Sequence, residues 1–217
     1  MTAPGWPAVV SHDRVGLRPM RLRDRAEWTE VRLRNQGWLE PWEGAPVASG
    51  AATWSERHGA AVFTASLRSS RRQGREGSGL PFVVTYDGHL AGQVTVSNIV
   101  RGAFDSGSVG YWVDRELAGR GVTPTAVALA VDHAFAGAGL HRIEVNVRPE
   151  NAPSLRVVDK LGFRAEGRHE RYLYIDGAWR DHLTFALVRE DVPGGLLRRY
   201  LATRDTPRDT PPGLHPV

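Results

Sequence analysis

Gly119 and Gly121, two residues apart, follow an apolar run that ends at Val113 and precede Thr123-Pro124, and this order suits the capture of an anion. Glycine lets the backbone turn tightly and approach a ligand closely, so that amide N–H groups and the positive end of the next helix converge on one point. The spacing predicts Thr123 as the cap of that helix and Pro124 as its first residue, where a missing N–H costs nothing. The anion inferred from this strand, turn and helix start is a pyrophosphate. Residue types exclude other chemistries. Cysteine is absent, which removes disulfides, thiolate nucleophiles and cysteine metal sites and fits a reducing cytoplasm. No histidine spacing suits a metal, because His133 and His141 straddle a helix end and the rest are scattered.

These residues must be positioned by a chain of 217 residues, long enough for one catalytic-size domain with a full core. Hydrophobic residues at 41% and charged residues at 24% match an ordinary globular composition, and no apolar run is long enough to span a bilayer. The opening Met1-Thr-Ala-Pro-Gly-Trp-Pro lacks the basic and apolar regions of a secretory signal, so a cytoplasmic location is expected. Lys160 is the sole lysine among 28 basic residues, and a net charge of +4 with interspersed carboxylates reads as a mixed solvated surface rather than a nucleic-acid groove. Arg68, Arg71, Arg72 and Arg75 form the densest basic cluster. The Gly and Ser content of residues 66–79 predicts a mobile loop there, either solvated or touching RNA or an acidic partner.

Val15-Gly-Leu-Arg-Pro reads as a short strand and Asp24 as the cap of a helix through Trp28, Val31 and Leu33. A loop holding Trp38, Pro41, Trp42, Glu43 and Gly44 precedes a helix over residues 51–67, with Trp54, His58 and Ala61 toward the core. Asp87-Gly88 joins residues 81–86 and 89–97 as a hairpin with a type I′ turn, and residues 108–113 form the strand that leads into the glycine turn. The following helix carries Val127, Leu129, Val131 and Phe135 and fades at Gly137-Ala-Gly139. Residues 141–147 alternate as a strand, Ile143, Val145 and Val147 on one face and Arg142, Glu144 and Asn146 on the other. Asn151 caps a short helix, Ser154 lies in its first turn and Gly162 closes it. A last hairpin pairs residues 165–175 with 179–188 through Asp176-Gly177. The expected organisation is an N-terminal extension over 1–14, one domain over 15–190 and a C-terminal extension over 191–217, frayed from about 203.

Taken in order, the elements from Gly110 to Val188 resemble the GNAT superfamily of N-acetyltransferases. Within it they resemble the RimJ/RimL branch of ribosomal-protein alanine N-acetyltransferases, on Gly110-Tyr-Trp-Val, Arg142-Ile-Glu144, Arg148-Pro-Glu-Asn-Ala-Pro-Ser154, Phe163-Arg-Ala-Glu-Gly167 and Asp176-Gly-Ala-Trp-Arg-Asp-His182. Leu39-Glu-Pro-Trp-Glu43 is similar to the same loop of actinobacterial members. The fold this implies is α+β, a mixed and mostly antiparallel sheet of about six or seven strands flanked by helices and splayed at an acetyl-CoA site.

The resemblance implies that acetyl-CoA lies in a V-shaped opening between the strand ending at Val113 and the strand of residues 141–147, with free strand amides beside the pantetheine arm and the thioester oxygen. Amides of Gly119, Arg120, Gly121, Val122 and Thr123 hold the pyrophosphate, Arg120 either adding charge or standing as an exposed loop arginine, and Asn151 joins the cofactor site. Acetyl transfer needs a neutral amine, a donor to the developing oxyanion and a proton for the departing thiolate. An α-amine, with a reference pKa of about 7.7–8.0 against about 10.4 for lysine, meets the first need with little help. Glu144 reads as the base or as a solvent-side charge. Many relatives place a proton-donating tyrosine one helical turn beyond the position of Ser154; Val158 stands there, so Ser154 is either the replacement donor or a support for the helix start. Asn146 occupies the position of a glutamate in some alanine acetyltransferases and is assigned to the acceptor side.

The acceptor is expected between the 38–44 loop and the final hairpin, where Glu43 pairs with an ammonium or is a surface carboxylate, and Trp42 walls the slot or anchors the loop. Tyr111, Trp112 and Trp179 read as packing residues. The expected function is acetyl-CoA-dependent acetylation of an α-amino group, on an Ala, Ser or Thr N-terminus of a ribosomal or other protein. The expected partners are acetyl-CoA and that N-terminus, without metal, membrane or direct nucleic-acid binding, for a monomer or homodimer. Two rivals stand beside it: acetylation of a small-molecule amine such as a polyamine, antibiotic or amino acid, and a weakly active acyl-CoA-binding module associated with ribosomes.

Overall fold

Runs rich in valine, isoleucine and aromatic residues become strands, and the Asp-Gly pairs between them become turns. The computed structural model, which describes residues 3–44 and 52–205, places eight strands in one sheet. They are β1 (Val10–His12), β2 (Val15–Pro19), β3 (Leu80–Tyr86), β4 (His89–Val100), β5 (Ser106–Val113), β6 (Arg142–Val147), β7 (Arg164–Ile175) and β8 (Ala178–Val188), in the spatial order β1-β2-β3-β4-β5-β6-β8-β7. The sheet is thus α+β in class as expected but larger than six or seven strands, the addition being β1, three residues of the expected N-terminal extension. Asp87 and Gly88 have φ of 52° and 84°, and Asp176 and Gly177 have 50° and 71°, the doubly positive pattern that a type I′ hairpin turn requires.

Neighbouring strands are antiparallel except β5 and β6, and this exception creates the opening. The parallel ladder runs only through Ser106↔Arg142, Gly107↔Ile143 and Ser108↔Glu144. Beyond it β5 follows β4 to Val113 while β6 follows β8 to Val147, so the two strands diverge and, among the described residues, their facing edges are unpaired.

Helices cover both faces. On one side α1 (Arg25–Arg34) and α4 (Ala60–Glu76) build a core of Trp28, Val31, Phe63 and Leu67 with Val83 and Leu90 of the sheet. On the other, α5 (Val122–Ala136), α6 (Ala152–Leu161) and α7 (Leu196–Asp205) join Phe82, Val84, Val94, Val109 and Ile143 in the larger core. Alternation along β3 sends Val83 to one core and its neighbours Phe82 and Val84 to the other, which explains an almost unbroken apolar strand. Two short helices, α2 (Gln36–Leu39) and α3 (Trp54–His58), complete the first face.

Several local expectations change. Residues 66–76 belong to α4 rather than to a loop: Phe63, Leu67 and Gly74 are buried along one side, arginine is a good helix former, and the break comes at Gly77, whose φ of +73° closes the helix. The expected helix over 51–67 is divided at Gly59 into α3 and α4; Trp54 and His58 are buried but Ala61 is exposed, and Ala51 lies outside the described residues. Asp24 does not cap α1 with its side chain, because its carboxylate accepts from Arg21 N and pairs with Arg18, and Leu33 is exposed. At α5 the cap is Gly121, two residues earlier than expected, with Thr123 and Pro124 at the second and third helical positions. The C-terminal extension carries α7, whose Leu196 and Tyr200 enter the larger core; residues 206–217 of the expected frayed tail lie outside the described residues.

Candidate functional site

The glycine turn is fixed from α1. Asp114, just after β5, accepts from Asn35 Nδ2 at 2.9 Å and from Glu116 N at 3.3 Å and pairs with Arg34, while Asn35 Oδ1 accepts from Arg115 N at 2.9 Å. Burial works to raise the Asp114 carboxyl, but Arg34, Asn35 and the Glu116 amide outweigh it and hold the group below the usual carboxylate range. Gly119 and Gly121 both take φ of +80°, a left-handed conformation costly for residues with a Cβ. A Cβ on Gly121 would stand 3.4 Å from Tyr200 Oη, so α7 backs the turn there; one on Gly119 would point into open space. Among the described residues no side chain caps α5, so the N–H groups of residues 122 and 123 stand without a side-chain acceptor there at the helix's positive end.

One cavity of about 490 Å³ opens from this turn into the space where β5 leaves β6. Gly119, Gly121, Val122 and Thr123 line its turn wall, Gly110, Tyr111, Trp112 and Val113 its strand wall, and Asn151, Ser154, Arg156 and Lys160 its α6 wall. At the other end stand Trp38, Trp42, Glu43 and Gly44. Trp38 Nε1 donates to the Val113 carbonyl at 3.1 Å, tying this end to the tip of β5, and Gly44 bridges to Ile175 of the final hairpin.

Two side-chain groups give the cavity its chemistry. Asn151 Oδ1 accepts from Ser154 N at 3.1 Å as the cap of α6, and Ser154 Oγ lies 3.1 Å from Tyr111 Oη. Burial pushes the Tyr111 phenol up to about 12, against the opposing hydrogen bond from Ser154, so it stays protonated at ordinary pH. Glu43 is the second group: its Oε1 is 2.7 Å from His58 Nε2 and its Oε2 pairs with Arg32. Burial raises this carboxyl, yet the His58 hydrogen bond and the Arg32 charge prevail and keep it below the usual range, as an anion. Arg32 is itself buried, its guanidinium 4.8 Å from the Trp112 ring and 4.9 Å from that of Trp54, so the carboxylate rests on a rigid cationic floor.

Of the residues singled out from sequence, the cavity gathers Val113, Gly119, Gly121, Val122, Thr123, Asn151, Ser154, Trp42 and Glu43. Three are placed elsewhere. Arg120 is exposed and does not line it. Glu144 lies at the apex of the V, opposite Ser108, and accepts from Arg142 Nε at 3.0 Å, because residues two apart on a strand share a face. Asn146, on that same face, accepts from Thr184 Oγ1 at 2.8 Å and does not line the cavity. The sequence reading missed Tyr111 as more than packing, as well as Arg156 and Lys160, whose spacing of four places both on one side of α6. The signal for Tyr111 was weak, since alternation groups it with Val109 and Val113 on the core face. Among the described residues no group of His, Asp and Glu is placed to hold a metal, and no helix is long and apolar enough to cross a membrane.

Such a site can hold a phosphate-bearing ligand at the turn, lay an extended arm along an unpaired strand edge and bring a cation to Glu43. A family model described as an acetyltransferase (GNAT) domain matches residues 14–164. The structure of Mycobacterium smegmatis RimJ in complex with CoA-disulfide is 42% identical, covers 94% of this chain and 98% of that one, and superposes with a TM-score of 0.89. The [ribosomal protein uS5]-alanine N-acetyltransferase of Escherichia coli (strain K12) is 30% identical over 185 residues, 84% of this chain and 92% of its own length. A probable N-acetyltransferase of Bacillus subtilis (strain 168), YjcK, is 41% identical over 105 residues, which is 48% of this chain and 58% of that protein.

Proposed function

The chain belongs to the GNAT acetyltransferase family, and from that premise we propose that it transfers acetyl from acetyl-CoA to the α-amino group of a protein N-terminus, a ribosomal protein among its targets, in the cytoplasm. The observation that carries this reading is the convergence on one cavity of the Gly119 and Gly121 turn, the unpaired edge of β5, Ser154 and the anionic Glu43. CoA in the 42% identical relative supports the donor, and the 30% identical alanine N-acetyltransferase supports the acceptor class.

Bound acetyl-CoA supplies a thioester carbonyl for attack; the chain's own residues do the rest. Amides of residues 119–123 and the start of α5 receive the pyrophosphate, with Arg156 and Lys160 adding positive charge along α6. The free edge of β5 over residues 109–113 sets the arm in register and turns an N–H toward the acetyl oxygen as charge develops there. Glu43 draws the acceptor ammonium between Trp42 and the β7–β8 hairpin, and the amine is neutral for attack once it loses a proton to solvent, which an α-amine does near neutral pH. Ser154 meets the departing sulfur with its hydroxyl. Glu144, held by Arg142 outside the cavity, is left without a part in this scheme.

The test is a set of paired peptides that begin with Ala, Ser or Thr, one of each pair bearing a free N-terminus and a blocked lysine, the other the reverse. Product mass and released thiol are followed with acetyl-CoA. Modification of the free α-amine is expected; acetylation of lysine alone, or of neither, would refute the reading.

A further inference from the structure

Tyr111 is the one tyrosine that lines the cavity, and it is in contact with the residue assigned to the leaving group. Its ring packs on the larger core from β5, while its hydroxyl reaches the first turn of α6, where it lies 3.1 Å from Ser154 Oγ and donates to the Ser154 carbonyl at 3.4 Å. Farther along α6, Val158 is buried and apolar, so Tyr111 brings a phenol to this helix start from the sheet instead.

We infer that Ser154 and Tyr111 form a two-hydroxyl donor, in which Tyr111 is the positioning residue that donates to Ser154 Oγ and so aims and strengthens the Ser154 O–H that meets the sulfur. The inference rests on the acetyl-transfer reading above. Hydroxyl hydrogens rotate to suit their partners. With sulfur in the cavity, the Ser154 O–H turns toward it, and the Tyr111 O–H moves from the 3.4 Å carbonyl contact to the shorter 3.1 Å contact with Oγ. A donor that itself receives a hydrogen bond is polarised, and the effect is larger away from water. The phenol can fill this role across the working pH range because burial pushes it up to about 12.

The amine nitrogen bonds to the acetyl carbon, the carbon–sulfur bond breaks and its electron pair goes to sulfur. Sulfur takes the Ser154 hydroxyl proton, and Ser154 Oγ is reprotonated, through solvent in the cleft, by the proton the nitrogen sheds. Tyr111 keeps its own proton throughout, which separates it from a proton donor in the strict sense.

Single-turnover acetyl transfer is measured for the wild type, Tyr111→Phe, Ser154→Ala and the double variant, together with acetyl-CoA affinity by calorimetry. Tyr111→Phe keeps the ring and is expected to slow transfer about tenfold, the scale of one supporting hydrogen bond, with affinity within about twofold. In the Ser154→Ala background the same change is expected to cost less than about twofold, because the hydroxyl it supports is gone. An unchanged rate in Tyr111→Phe, losses that multiply in the double variant, or a loss confined to acetyl-CoA affinity would each overturn the inference. A wild type that acetylates no amine would overturn the functional reading, and the inference with it.

Discussion

At the scale of single residues, the proposed acceptor end turns on Glu43. Its carboxylate is anchored by Arg32 and His58 and held below the usual carboxylate range despite burial, so it stays charged as pH falls from neutrality toward about 4.3, the reference value for glutamate. The fall of kcat/KM on the acid side should therefore follow the acceptor amine, near 7.7–8.0, with no acid limb from Glu43 itself above about pH 5. Glu43→Gln should raise KM for the peptide roughly tenfold and leave acetyl-CoA affinity unchanged, which steady-state kinetics and calorimetry separate. An equal loss in both would place Glu43 in the folding of the site rather than in acceptor capture. Glu144→Gln makes the opposite case. Outside the cavity and tied to Arg142, it should leave kcat within about twofold of wild type at every pH, and a low-pH rate deficit would restore it as a base.

At the scale of elements, α4 shows what a linear reading can and cannot see. Residues 66–79 have the Gly and Ser content of a loop, yet the helix runs to Glu76 because Phe63 and Leu67 bury one side and Gly74 lets Trp6 lie against it. That contact joins residues nearly seventy positions apart and leaves no trace in local composition. A Cβ at Gly74 would fall 2.1 Å from Trp6 Nε1. Gly74→Ala gains about 1 kcal/mol in helix propensity but must displace a buried indole, a cost of about 1–3 kcal/mol, so it should lower stability in urea unfolding, whereas Arg71→Ala on the exposed side should stay within about 0.5 kcal/mol. A stabilised Gly74→Ala would show that the indole moves freely. Elsewhere local signals sufficed. The Asp-Gly hairpins, the Asn151 cap and the alternation of β6 were legible because each is set by residues within a few positions. The cap of α5 shifted to Gly121 because a left-handed glycine can end the turn with no side-chain help.

At the scale of the molecule, most residues that gather at the cavity, from Trp42 and Glu43 to the glycine turn and Ser154, were legible in the ordered motifs, whereas the places of Glu144, Asn146 and Tyr111 were not, because they depend on which faces the sheet brings together. Glu144 and Asn146 share the polar face of β6, but the ladder places one at the apex of the V and binds the other to β8, while Tyr111, grouped with core residues, reaches α6. Charge pairing spans the same sheet. Glu166 on β7 is held down to about 2, chiefly by Arg142 of β6, with Arg164 assisting. A carboxyl lowered in the folded state contributes stability that is present above its unfolded value, about 4.3, and lost as pH falls toward the folded one. The difference in melting temperature between wild type and Glu166→Gln should therefore be steady above about pH 5 and shrink toward pH 2. A difference independent of pH would mean that the charge is not what Glu166 contributes. Everything proposed for the site depends on where acetyl-CoA sits, and backbone amide shifts followed while acetyl-CoA is titrated into ¹⁵N-labelled protein read this directly. The largest shifts are predicted at residues 119–123 and along the diverging edges of β5 and β6, with the acidic hollow of Glu27, Glu30 and Asp87 unmoved; shifts concentrated in that hollow, or absent from the glycine turn at saturation, would contradict it.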